Sequence, residues 1–189
     1  MQLQSRNIQM IFMLIVQTGG YFGLMNWLPS IVQKQQGLSV SGSSIWMIAT
    51  IIGMSIGMMV FGTVMDNWGP RWAFGIFLLG SATVMFTILM VQSSIALILA
   101  GALIGFFSNG MFGGYGAVIS QLYPTAIRST ANSIIMNVGR AIGGFSSVVI
   151  GLLMDHYSLG VTMGFLSALY ILSFIVMSSL PGMRKLANH

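Results

Sequence analysis

Arg140 is the charged residue whose position most strongly indicates a binding function. It lies twelve positions after Arg128 within a long apolar segment. If that segment is a membrane-spanning helix, its rise per residue places Arg140 about 18 Å deeper than Arg128, near the middle of a bilayer. A charge at that depth almost always faces a cavity or a partner group. Two interpretations follow: Arg140 binds the carboxylate of a substrate, or it is a structural arginine that bonds helix carbonyls or another helix.

The residues around Arg140 favour an interior position. Small and polar residues share its helix face at spacings of three and four: Ser133, Asn137, Gly144 and Ser147. Positions with this spacing fall on one side of an α-helix. We therefore expect this polar stripe to face the interior, with Asn137 beside Arg140 as a second candidate for substrate binding.

A second pair of charges, Asp66 and Arg71, lies in a short turn between two apolar segments. Gly69 supplies backbone freedom there, and Pro70 suits the first turn of the following helix, where its missing N–H costs nothing. By residue type and position alone, the two charges are solvated turn charges that set the orientation in the membrane.

Other chemistry finds little support in the sequence. The chain has no cysteine, and neither His156 nor His189 has a second ligand at metal spacing, so we expect no metal and no cofactor. The only acidic residues, Asp66 and Asp155, are predicted on opposite membrane faces, which excludes an acid/base pair. An enzyme is therefore not expected.

Composition indicates that the bilayer is the solvent for most of the chain. Hydrophobic residues make up 56% and charged residues 5% of the sequence, whereas soluble domains carry about 25% charged residues. The net charge of +5 comes from single, scattered basic residues. Their placement is typical of membrane topology and argues against nucleic-acid binding.

Six apolar segments of about 20 residues could each cross a hydrocarbon core of about 30 Å. The predicted spans of this all-α membrane bundle are residues 8–32, 45–65, 72–91, 95–122, 129–154 and 159–180, with loops at 33–44 and 123–128. This order puts five basic residues on one side: Arg6, Arg71, Arg128, Arg184 and Lys185. The other side has only Lys34, so the positive-inside rule places both termini in the cytoplasm of a multi-pass protein of the cell membrane.

Three motifs resemble those of the major facilitator superfamily of transporters, in its metabolite:proton, aromatic-acid and sugar-porter branches. They are Gly62-x-x-x-Asp66-x-x-Gly69-x-Arg71, Pro124-Thr125-x-x-Arg128 and Asn137-x-Gly139-Arg140. The resemblance covers essentially the whole chain but only the second half of the twelve-helix pattern. It implies a six-helix bundle equivalent to helices seven to twelve, which needs an N-terminal six-helix half.

The resemblance also implies roles for particular residues. The implied gate residues are Gly62, Asp66, Gly69, Arg71, Gln121 and Arg128. The resemblance implies that Asp66 and Arg71 pair with neighbouring helix ends and basic groups to stabilise the outward-facing state. Two positions depart from the family: Pro70 stands where a basic residue is common, and Gln121 where many members have glutamate. Both changes remove a charge, so we expect a weaker gate or one that depends on the other half. The implied substrate contacts outside the fifth span are Gln17, Tyr21, Asn26 and Asn109, and the alternative for each is a hydrogen bond between helices.

These features predict part of a secondary active transporter that moves a small organic solute, with carboxylates among the candidates, by alternating access and with proton coupling. No span of this chain contains a carboxylate, so a proton-carrying acid would have to come from the other half. Two alternatives stay open: a non-transporting remnant or assembly protein, and a six-span channel or homodimeric half-transporter that works alone.

Overall fold

The computed structural model describes residues 2–36, 39–91 and 93–179, and regular structure within these ranges is entirely helical. The helices are α1 Gln2–Gln36, α2 Val40–Trp68, α3 Pro70–Val84, α4 Thr87–Met90, α5 Ser94–Ile104, α6 Phe112–Leu122, α7 Thr125–Gly144, α8 Ser146–His156 and α9 Leu159–Ser178. A π-helical turn, Gly105–Asn109, joins α5 to α6. The basic residues Arg184 and Lys185, like His189, lie outside the described residues.

Six helical segments of the described chain are long and apolar enough to cross a membrane. They are Ile8–Trp27, Ser41–Trp68, Pro70–Met90, Ser94–Gln121, Thr125–His156 and Leu159–Ser178. A helix bonds its backbone N–H and C=O groups internally, as hydrocarbon requires of any spanning segment. The predicted all-α membrane bundle with six spans is confirmed.

Two connections are shorter than the sequence predicts. Residues 33–36 form the last turn of α1, and α2 begins at Val40 because the Ser39 hydroxyl accepts a hydrogen bond from the Gly42 N–H at 3.1 Å. Such a cap satisfies one of the free N–H groups at a helix start, so the helix begins before the apolar run. Residues 125–128 likewise form the first turn of α7, because Pro124 restricts only the residue before it.

The turn between the second and third spans is reduced to one non-helical residue, Gly69, with φ of 85°. Its N–H donates to the Met65 carbonyl at 3.0 Å and closes α2, and Pro70 then begins α3. Side chains with a Cβ rarely adopt this backbone region. The turn therefore places Asp66 in the last turn of α2 and Arg71 in the first turn of α3.

The second and fourth spans pack so closely that their backbones are in contact. A Cβ on Gly53 would overlap the backbone of Ala102, and a Cβ on Gly57 would overlap the backbone of Phe106. Glycine at such positions lets two membrane helices approach closely. On the fourth span, α5 and the π-helical turn form this seam, and the contact positions the start of α6.

The rest of the bundle packs around α1 and α3. α1 lies against α7 and α8, while α3 lies against α9. Aromatic rings fill the centre, where Phe61 lies 5.0 Å from Phe74 and 5.1 Å from Phe77 between ring centroids, both edge to face. Aromatic pairs at these distances are favourable beyond their buried area.

Candidate functional site

A cavity of about 280 Å³ lies among α1, α2, α6 and α7, and Arg140 forms part of its wall. Its other described lining residues are Thr18, Tyr21, Phe22, Met54 and Phe112. The wall is mainly apolar and aromatic, with a cation on one side. Ligand sites commonly combine an apolar lining with a few polar groups that orient the ligand, so this cavity suits a small organic anion.

α7 meets α1 through two glycines, and these set the position of Arg140. A Cβ on Gly139 would lie 2.7 Å from the Cβ of Leu14, and a Cβ on Gly143 would lie 2.7 Å from the Cβ of Thr18. Arg140 follows Gly139 directly, so it projects to the side of this contact. The close approach of the two helices thus brings the guanidinium to the cavity that Thr18 and Tyr21 also line.

The polar stripe of α7 lies on the surface of this six-helix bundle, and its position in the interior of a larger transporter stays a prediction. Ser133, Asn137 and Arg140 are exposed, whereas Gly139 and Gly143 are buried against α1. Glycines allow a closer helix contact than a face carrying Arg140, and a charge turned into the apolar core would need a partner. Asn137 does not line the cavity.

The guanidinium of Arg140 lies over the Phe112 ring, with Cζ 5.5 Å from the ring centroid. This is within the range of a cation–π contact. The ring centroid of Phe112 lies 6.2 Å from that of Tyr21. Tyr21 in turn packs edge to face on Phe22, with 5.5 Å between the ring centroids. The described cavity wall contains no acidic side chain. Arg140 can therefore offer its N–H donors to an anionic ligand between aromatic walls.

Gln17, a candidate substrate contact, is buried between helices, where it makes the interhelical hydrogen bond that was its alternative role. Its Nε2 donates a hydrogen bond to the Ser108 carbonyl, inside the π-helical turn. A π-turn interrupts the regular hydrogen-bond ladder of a helix, and in a membrane a neighbouring helix must help to satisfy such backbone groups. Gln17 therefore ties α1 to the fourth span, while the adjacent Thr18 faces the cavity.

Asn26 and Asn109 also lie away from the cavity. Asn109 is fully buried in the π-helical turn, and neither polar atom of its amide has a hydrogen-bond partner among the described residues. Asn26 is exposed, and its Nδ2 donates to Ser147 Oγ at 3.2 Å. It lines a separate cleft beside Trp27, whose indole N–H donates to the Ser147 carbonyl at 2.8 Å.

Each charge of the turn at Gly69 lies at the unfavourable end of its own helix. Asp66 is exposed near the C-terminus of α2, where the helix dipole is negative, and Arg71 is half-buried at the positive N-terminus of α3. Within the described ranges no salt bridge of 4.0 Å or less joins them. Both charges would therefore be stabilised by partners from elsewhere.

The other predicted gate residues are accessible. Gly62 has no atom within 4 Å of the position that a Cβ would take. Gln121 and Arg128 are exposed, and Arg128 Nε donates to the Tyr123 carbonyl at 3.4 Å within the same connection. In the part of the chain that the structure describes, no group of three His, Asp or Glu side chains could hold a metal ion.

Of the six predicted substrate contacts, the structure brings two together in the cavity, Tyr21 and Arg140. Sequence reasoning missed four lining residues: Thr18, Phe22, Met54 and Phe112. Thr18 and Phe22 could have been predicted from their spacing to Tyr21, because residues three or four positions apart lie on one face of a helix and residue 22 adjoins residue 21. Met54 and Phe112 gave no such signal, because their positions depend on how the second and fourth spans pack.

Comparisons with known proteins agree with this architecture. The sequence profile of the Major Facilitator Superfamily matches residues 10–186. The chain is 38% identical over 85% of its length to a "Putative metabolite transport protein" of Haemophilus influenzae, and 26% identical over 91% to a "Cis,cis-muconate transport protein" of Acinetobacter baylyi. It is 29% identical over 89% to a "Probable 4-methylmuconolactone transporter" of Cupriavidus pinatubonensis. The chain spans 39%, 43% and 40% of the length of these relatives, respectively.

Proposed function

Because the chain belongs to the Major Facilitator Superfamily, we propose that it supplies six of the spans of a secondary transporter that moves small organic carboxylates by alternating access. The observation that carries this proposal is Arg140 in the wall of a cavity lined by aromatic rings. The guanidinium binds the carboxylate with its planar set of N–H donors. The rings of Tyr21, Phe22 and Phe112 contact the carbon skeleton.

The proposed substrate class is an unsaturated or aromatic carboxylate. A cavity of about 280 Å³ is close to the lower end of the range for small-molecule sites, about 300 to 1,000 Å³. Flat, conjugated skeletons pack well against aromatic side chains. The names of two relatives specify cis,cis-muconate and 4-methylmuconolactone, which fit this class.

A second six-helix bundle completes the proposed transporter. Exposed Ser133, Asn137 and Arg140 lie on one helix in a segment long and apolar enough to span the membrane, where lipid would be a poor solvent for them. The relatives are more than twice as long as the matched region. The partner bundle covers this polar face and supplies groups that pair with Asp66 in the gate. Both termini lie in the cytoplasm, and the transporter lies in the cell membrane.

Proton coupling is assigned to the partner bundle. Asp66 lies at a helix end and Asp155 in the last turns of α8, and the sequence has no other acidic residue. The six spans therefore offer no carboxylate at mid-membrane depth to carry a proton. Proton-coupled uptake by this chain alone would contradict the assignment.

The test is uptake of radiolabelled cis,cis-muconate and benzoate into vesicles that contain this chain with or without the candidate N-terminal half. Uptake that needs both halves, and that is lost on Arg140→Gln, is the expected result. Correct insertion of both halves without uptake of any carboxylate would refute the proposed function and favour a structural role.

A further inference from the structure

Another cavity, of about 330 Å³, lies between α3 and α9 on the outside of the bundle. Arg71 is at one end of this groove, followed by Trp72, Ile76 and Leu79 on α3 and by Phe174 and Met177 on α9. It is separate from the cavity around Arg140, with which it shares no described lining residue.

The groove opens toward the membrane. Trp72 is 64% exposed and Leu79 is 45% exposed, although both lie in a segment that is long and apolar enough to span a bilayer. Exposed apolar side chains on a spanning helix face lipid. Gly75 forms the floor, where a Cβ would lie 3.6 Å from Phe174 Cε2 and 3.7 Å from Met177 Cε. A larger side chain at this position would fill the groove.

The charged end of the groove has no internal counter-charge. Arg71 is half-buried in the first turn of α3, and the described lining contains no acidic side chain. The end of a membrane span lies at the level of the lipid headgroups, where an arginine can reach a phosphate. One end of the groove therefore matches an anion, and the rest matches a hydrocarbon chain.

We propose that this groove binds an anionic phospholipid, with its phosphate on Arg71 and one acyl chain along Ile76, Leu79 and Phe174. The lipid is a bound component of the protein and is distinct from the transported solute. Its binding does not require the proposed transport function to be correct.

Native mass spectrometry of the purified chain, titrated with phosphatidylglycerol or phosphatidylcholine, tests this proposal. We expect tighter binding of phosphatidylglycerol, and about a fivefold increase in its Kd for Arg71→Gln, from the electrostatic attraction of one arginine near an anionic headgroup. Arg71→Lys keeps the charge and should keep most of the affinity. Gly75→Leu should reduce binding of both lipids, because its side chain occupies the acyl-chain path.

The matched control is Gly164→Leu, which adds the same side chain on α9 where no atom lies within 4 Å of the Cβ position. It should bind both lipids as the unmodified chain does. Equal affinity for the two lipids, or unchanged phosphatidylglycerol binding in Arg71→Gln, would overturn the proposal. So would full displacement of the lipid by millimolar inorganic phosphate, since the site would then hold the anion alone. Circular dichroism melts identify any variant that has lost its fold, and Arg71→Met, which also removes the charge, then replaces Arg71→Gln in the comparison with Gly75→Leu.

Discussion

Replacing Arg140 by glutamine should weaken the binding of carboxylates far more than the binding of uncharged analogues. The change removes the cation and keeps a polar side chain that can still hydrogen-bond. A hydrogen bond to a charged group contributes about 1.5 to 3 kcal/mol, which corresponds to a loss of about 10- to 150-fold in affinity. Arg140 is the only charged side chain in the described cavity wall, so no neighbouring cation there can replace it.

The assay is concentration-dependent uptake into vesicles that contain the chain and its candidate N-terminal half, using benzoate and benzamide as a matched acid and amide. Arg140→Gln should raise KM for the acid and leave KM for the amide unchanged. Arg140→Lys keeps the charge but loses the planar arrangement of donors, so its loss should be smaller. Phe112→Leu removes the ring under the guanidinium and should cost about two- to fivefold through the lost cation–π contact.

Two results would refute this reasoning. If uptake of acid and amide falls equally in Arg140→Gln while insertion and thermal unfolding are normal, Arg140 positions helices and does not bind the carboxylate. If KM for the acid is unchanged, the binding site lies outside the cavity. The amide comparison separates a loss of carboxylate recognition from a general loss of transport.

Further predictions concern stability, measured by thermal unfolding in detergent. Gly53→Ala places a methyl group against the Ala102 backbone and should destabilise by about 1 to 3 kcal/mol, whereas Gly164→Ala, with open space around it, should not lower Tm; equal Tm values would contradict the proposed seam. Gly69→Ala forces a Cβ into a backbone region with φ of 85° and should cost about 1 to 3 kcal/mol, and an unchanged Tm would show that the turn can adopt another conformation. Gln17→Leu removes the donor to Ser108, and we expect a loss of about 0.6 kcal/mol and at most about 1.7 kcal/mol; a gain in stability would show that the bond is not net favourable.

The number and order of the spans could be predicted because hydrocarbon imposes a simple rule on sequence, namely about 20 apolar residues per crossing. The limits of the helices were harder to predict. Residues 33–36 are polar and residues 125–128 include Arg128, yet both segments are helical, since a helix can extend beyond the hydrocarbon into the headgroup region. The π-helical turn at Gly105–Asn109 had no signal beyond a run of glycines.

The candidate site was predicted less completely than the fold. Arg140 and Tyr21 could be identified because a charge at mid-membrane depth, or a hydroxyl beside paired glycines, is unusual in sequence. Gln17 and Asn109 look equally unusual, but both are buried between helices. Which face of a helix is buried depends on its neighbours, and Phe112 reaches Arg140 only because α6 follows the π-helical turn.

The seam between the second and fourth spans has a mechanical consequence. At Gly53 and Gly57 the nearest atoms across the seam belong to the backbone, so no side chain can rotate there to absorb a displacement. We therefore expect the second and fourth spans to move as one rigid body. Helices that slide past each other should be those joined by flexible side chains, such as α3 and α9. Variation at the seam is limited by residue volume, so Gly53 and Gly57 should change slowly in evolution.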